Sequence, residues 1–135
     1  MARDAPDGVL IIEIGITLGN DVVPPSSLTE LSIASLSRYS GSATTYQTVV
    51  SWTVAAGKAG ALTEVEMESD TYAKTLWQLT IAGVVKFTDK FIQGPLTLIF
   101  PDVNLAAGAV VLLEAKSSDG TAIVADGTIT GKEVG

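Results

Sequence analysis

Apolar and polar residues alternate with a period of two along most of this chain, which restricts it to strands that bury one face. Ile12, Ile14, Ile16 and Leu18 alternate with Glu13, Gly15 and Thr17, as expected where successive side chains point to opposite faces. Val50, Trp52 and Val54 alternate in the same way with Ser51 and Thr53, and Trp77, Leu79 and Ile81 with Gln78 and Thr80. Val65 and Met67 lie between Glu64, Glu66 and Glu68, which places three carboxylates on one face. Leu96, Leu98 and Phe100 form another inward set, with Thr97 outward. Residues 109–115 are more continuously apolar and predict a central strand covered on both faces. Residues 121–130 predict a last strand, interrupted at Asp126-Gly127 by a bulge or a tight hairpin.

Turn chemistry separates these runs at short intervals. Gly19-Asn20-Asp21 and Pro24-Pro25-Ser26-Ser27 end the first strand region, and Gly57-Lys58-Ala59-Gly60 is a hairpin candidate. Gly94-Pro95 and Pro101-Asp102 bracket the Phe100 strand, and Ser118-Asp119-Gly120 is the strongest hairpin signal. Residues 27–37 fit either a short helix capped by Ser26 or Ser27, with Glu30 at its third position, or an extended segment; the extended reading is preferred. The fold class is therefore all-β: an antiparallel, jelly-roll-like β-sandwich of about eight strands with a less regular N-terminal segment. Residues 1–47, richer in Ser and Pro, are read as an N-terminal arm and first strand or strands of the same domain, and residues 48–135 as the sandwich core. An arm packed on a neighbour is the alternative to first strands joined by long loops.

Composition sets limits on partners. The 135 residues are 47% hydrophobic and only 17% charged, against about 25% charged in an ordinary soluble domain. Disorder is excluded over most of the chain, and some apolar surface is expected to be covered by another subunit. The net charge is −7, and the eight Lys and Arg are scattered. Nucleic acids and anionic membrane surfaces both require clustered cations, so neither is an expected partner. The polar N-terminus lacks the pattern of a signal peptide. No apolar run approaches the roughly 18–20 residues needed to span a bilayer. The chain is expected to be soluble and made in the cytoplasm.

Catalytic and ligand-binding constellations were weighed against plainer readings. With no Cys and no His, disulfides, thiolate chemistry, His bases and Cys- or His-type metal sites are excluded. Glu64, Glu66 and Glu68 stand about 7 Å apart as i, i+2 neighbours. That spacing is compatible with glycosidase carboxylates, but a solvated strand face is the preferred reading. Asp102, Asn104, Asp119 and Asp126 are oxygen donors in or near turns, yet they lack the spacing of a calcium loop. Gly57 and Gly60 lack the context of a phosphate loop. Ser117 and Ser118 adjoin Lys116 without a spaced Ser-x-x-Lys pattern. Trp52 and Trp77 are in phase with inward sets and belong to the core, whereas Tyr39, Tyr46 and Tyr72 fall in expected loops and are the candidates for sugar stacking. No catalytic, cofactor-binding or metal-binding residue is assigned, and the chain is expected not to be an enzyme.

Three segments carry a resemblance: Leu76-Trp77-Gln78-Leu79-Thr80-Ile81, Pro95-Leu96-Thr97-Leu98-Ile99-Phe100-Pro101, and residues 108–116 with Ser117-Ser118-Asp119-Gly120. In strand cadence over residues 48–135 the chain resembles small phage virion proteins with jelly-roll-like domains, in particular capsid decoration, or cement, proteins. That resemblance implies a structural protein of the virion attached to an assembled capsid, commonly a trimer at symmetry axes with an arm reaching a neighbour. The implied partners are the major capsid protein and further copies of the chain; no site residue carries over. The alternative function is a host-recognition or carbohydrate-binding module of a phage tail or fibre.

Overall fold

The computed structural model describes residues 29–135. The strand expected around Ile12–Leu18 and the turns at Gly19-Asn20-Asp21 and Pro24-Pro25-Ser26-Ser27 lie outside the described residues. Among the described residues there are eight strands: β1 (Glu30–Gly41), β2 (Gln47–Thr53), β3 (Ala59–Ser69), β4 (Thr75–Ile81), β5 (Val84–Lys90), β6 (Leu96–Leu105), β7 (Val110–Ser117) and β8 (Ile123–Val134). A single 3-10 turn, Tyr72–Lys74, precedes β4. The strands form two four-stranded antiparallel sheets, β1-β8-β3-β6 and β2-β7-β4-β5. Only β4 and β5 are consecutive neighbours within a sheet; every other connection crosses to the opposite sheet. This strand order is that of a jelly roll.

The core lies between the sheets and is built from the inward sets of the alternation. Trp77, Leu62, Met67, Leu79, Leu113 and Ile129 are among the largest fully buried side chains. Each such residue contributes roughly 1.5–3 kcal/mol of transfer free energy. Trp52 and Trp77 are both core residues, as their phase predicts. Residues 30–37 are strand, in keeping with the extended reading.

Several local expectations are corrected. Asp126-Gly127 is neither a bulge nor a hairpin, because β8 pairs without interruption with β1 on one side and in register through Asp126 and Gly127 with β3 on the other. The glycine is there for space: a Cβ on Gly127 would stand 2.8 Å from both Leu113 Cδ2 and Val50 Cγ1 in the opposite sheet. The register irregularity falls instead at Thr63 of β3, whose hydroxyl donates to the Thr130 carbonyl at 3.0 Å.

Pro101-Asp102 does not end its strand. Both residues lie inside β6, where the ladder skips between Ile99 and Val103 and Asp102 takes φ +49°; an edge strand tolerates the missing proline N–H. Gly57-Lys58-Ala59-Gly60 and Ser118-Asp119-Gly120 are not hairpins but connections between sheets. Among the described residues the one hairpin is Ala82-Gly83, with φ of +50° and +82°, the paired left-handed conformation of a two-residue turn. Finally, β7 is central in its sheet but covered on one face only, because Val110 is 36% exposed and Leu112 and Glu114 are half-buried.

The two sides of the sandwich differ. On one, β1 packs against β2; on the other, β5 and β6 make at most slight contact. The inward residues of β6 there, Leu96, Leu98, Phe100 and Val103, are only partly buried, as is Phe87 of β5.

Candidate functional site

Most of the polar residues singled out from the sequence, the three glutamates of β3 apart, are engaged in holding strands and turns. Asp126 of β8 accepts two hydrogen bonds from Arg38 of β1, at 2.6 and 3.1 Å. The guanidinium holds the Asp126 carboxyl below the usual carboxylate range. Asp119 accepts from Lys74 Nζ at 2.6 Å and from the Thr121 N–H at 3.0 Å, and these bonds, the lysine's foremost, hold it well below that range too. Asp102 lies 3.8 Å from Lys132, and Asn104 sits on β6 opposite Ala61. Asp119 and Asp126 thus answer to separate cations on different elements. Among the described residues, no group of three or more acidic side chains is placed to hold a metal ion.

Ser117 is buried, and its hydroxyl accepts the Gly120 N–H at 3.0 Å; the Ser118 N–H donates to the Lys74 carbonyl at 2.8 Å. Lys116 turns away from both, 3.2 Å from Asp89 and 4.5 Å above the Tyr46 ring. Gly57 serves a turn closed by Lys58 N–H to the Ala55 carbonyl at 3.2 Å, with φ +77°.

The three tyrosines are placed differently from one another. Tyr39 is on β1 and not in a loop; its hydroxyl accepts from the Ala43 N–H at 3.1 Å, and its ring lies over Gly41. The Tyr46 hydroxyl donates to Asp89 Oδ1 at 2.6 Å and accepts from the Asp89 N–H at 2.7 Å. Burial, followed by the bond to Asp89, raises the Tyr46 hydroxyl above its ordinary range. This pair fastens β5 where the strand bulges at Thr88-Asp89 and Asp89 takes φ +50°. Tyr72 lines an apolar recess of about 540 Å³ with Ala73, Phe91, Ile92 and Gln93.

Two surfaces have little structural work to do. The outer face of the β1-β8-β3-β6 sheet carries the rows Leu36–Thr128–Glu66–Thr97 and Ala34–Thr130–Glu64–Ile99. Leu36 and Ile99 are each 72% exposed. Glu66 and Glu68 are exposed and Glu64 half-buried, as the solvated-face reading predicts. The second surface is the β5 edge, with Val84 at 55%, Val85 at 52% and Phe91 at 55% exposure, continuing into the Tyr72 recess.

Compared with known protein families and with curated proteins, the chain finds no match. Its function must therefore be read from these surfaces.

Sequence reasoning missed both sets of exposed apolar residues. Ile99 had a signal, since it follows Thr97 in the outward phase of an otherwise inward apolar run. Leu36, flanked by Ser35 and Ser37, had none, because the phase of β1 shows only once it is paired with β8. Phe91 follows the last residue of β5, beyond the alternation.

Proposed function

We propose that this protein is a non-enzymatic structural component of a phage virion that decorates or cements the capsid. It would act as a homo-oligomer, a trimer being favoured, bound to the major capsid protein. The observation that carries this reading is the exposure of aliphatic and aromatic side chains on a sheet face and on an edge strand of a small, weakly charged jelly roll. Exposed apolar area of this kind suits surfaces that are covered in an assembly. Asp119, Asp126 and Ser117 are committed to turns and strand pairing, and Glu66 and Glu68 lie on a solvated strand face. Jelly rolls recur in viral capsid and lectin domains, which supports the reading by analogy of fold alone.

The test is co-sedimentation with phage capsids that lack their decoration protein, together with the mass of the free protein by light scattering. Saturable binding and a multiple of 13.9 kDa are expected. A monomer that binds no capsid would overturn the proposal.

The alternative, a host-recognition or carbohydrate-binding module of a tail or fibre, draws on one observation: the recess in which Tyr72 and Phe91 meet. A glycan array tests it. Signal lost in Tyr72→Ala would favour that reading, and silence across the array would remove it.

A further inference from the structure

We infer that copies of this chain join head to tail, the β5 edge of one seated on the outer face of the β1-β8-β3-β6 sheet of the next. This deepens the homo-oligomeric part of the proposed function.

The starting point is how charge is distributed. Arg38, Lys74, Lys116 and Lys132 each stand within 4.0 Å of a carboxylate, and Lys58 donates to the Gly135 carbonyl. Among the described residues, Lys86 and Lys90 have no such partner, and both lie on β5. Lys90 sits 5.6 Å over the Phe87 ring at the rim of the apolar edge. Among the described residues, Glu64, Glu66 and Glu68 likewise have no cation within that distance; they stand in line on the outer face of β3 beside Leu36 and Ile99. Among the described residues, each surface thus combines exposed apolar side chains with one sign of charge left without a partner, and the signs are opposite. Val84, Val85 and Phe91 supply the apolar part of one; Leu36 and Ile99 supply that of the other.

Complementary potentials fix which surfaces meet and in what register. A two-fold contact of the sheet face with itself would set glutamates against glutamates, and a two-fold contact of the β5 edge would set lysines against lysines. The contact between unlike surfaces avoids both. A heterologous contact of this kind closes into a ring or runs on as a filament, according to the rotation it imposes.

Charge exchange tests this without capsids. Lys86→Glu/Lys90→Glu and Glu66→Lys/Glu68→Lys are each expected to weaken association about tenfold or more. The chain carrying all four substitutions, in which every contact again joins opposite charges, is expected to regain it. Mass is read by analytical ultracentrifugation, and nearly unchanged urea midpoints confirm folding, as expected for surface substitutions. An oligomer that survives both reversals, or a four-substitution chain that stays dissociated, overturns the head-to-tail contact while leaving capsid binding standing. Lysines that serve only to guard an edge from pairing would give the first of these results. A native chain that is monomeric at micromolar concentration overturns both this contact and the homo-oligomer.

Discussion

The most exacting single position in the core is Glu133. It is 4% exposed, on the inward face of β8, and one oxygen accepts both the Trp52 indole N–H at 2.9 Å and the Ala55 N–H at 3.1 Å. The bond ties the last strand of one sheet to β2 of the other and to the turn that follows it. Glu133→Ala leaves two inward donors unpaired, at about 1–3 kcal/mol each where buried. Glu133→Gln keeps an acceptor and is expected to lose less. Urea unfolding should show a lower midpoint at unchanged slope, in the order native, Gln, Ala. Nothing in the alternation marks this residue as buried until β8 is extended past Thr130, because Gly131-Lys132-Glu133 reads as a polar end.

Asp89, Asp119 and Asp126 all have carboxyls held below the usual range, by Tyr46, Lys74 and Arg38 respectively. A depressed folded value gives stability that is present above the unfolded carboxylate range near pH 4 and lost as pH falls through the folded value. Acid therefore destabilises the fold below about pH 4. Asp119→Asn should flatten that part of the stability profile. The difference should shrink in high salt, because the Lys74–Asp119 ion pair is exposed.

At the scale of elements, β8 shows what the sequence could and could not disclose. Its alternation is legible from Ile123 to Ile129, and the inward phase continues through Gly131 to Glu133. The two glycines in that phase looked like a break because glycine usually marks one in a strand. Here they admit side chains from the other sheet. A Cβ on Gly131 would stand 2.7 Å from the Ala61 carbonyl oxygen and 2.7 Å from the Trp52 ring. Gly131→Ala is expected to destabilise by about 1–3 kcal/mol through overpacking. Gly127→Ala, which meets only side chains, should do so by less; thermal unfolding of the two variants checks the order.

Turn signals marked several strand ends but failed at Pro101-Asp102 and Asp126-Gly127, which lie inside strands, and they were uninformative about which strand comes next. Ser118-Asp119-Gly120 has hairpin composition, yet its chain leaves one sheet for the other. Ala82-Gly83 lacks the Asn or Asp of a strong hairpin signal and makes the real one. The sequence periodicity is local, and sheet assignment is not.

For the whole molecule, the strand count, the antiparallel class and the core tryptophans were legible, because burial follows phase. The candidate surfaces were less so, since exposure of Leu36, Ile99 and Phe91 depends on which strands lie at edges and which faces stay bare. The open side between β5 and β6 yields a prediction at this scale. The amides of β5 should exchange with solvent faster than those of β8, which is paired on both sides. Hydrogen exchange of the isolated protein, compared with capsid-bound or concentrated protein, would show whether that difference narrows on assembly.

The pairing of β1 with β8 joins the first and last described strands, and the Gly135 N–H donates to the Thr29 carbonyl at 3.1 Å. No ribosome can present β1 with its neighbour until the whole sandwich has been synthesised. Folding therefore waits on β8 and is dominated by distant contacts, in the slow regime of about milliseconds to seconds. Until β8 is made, β1 offers an unpaired edge, a template for mispairing with other copies.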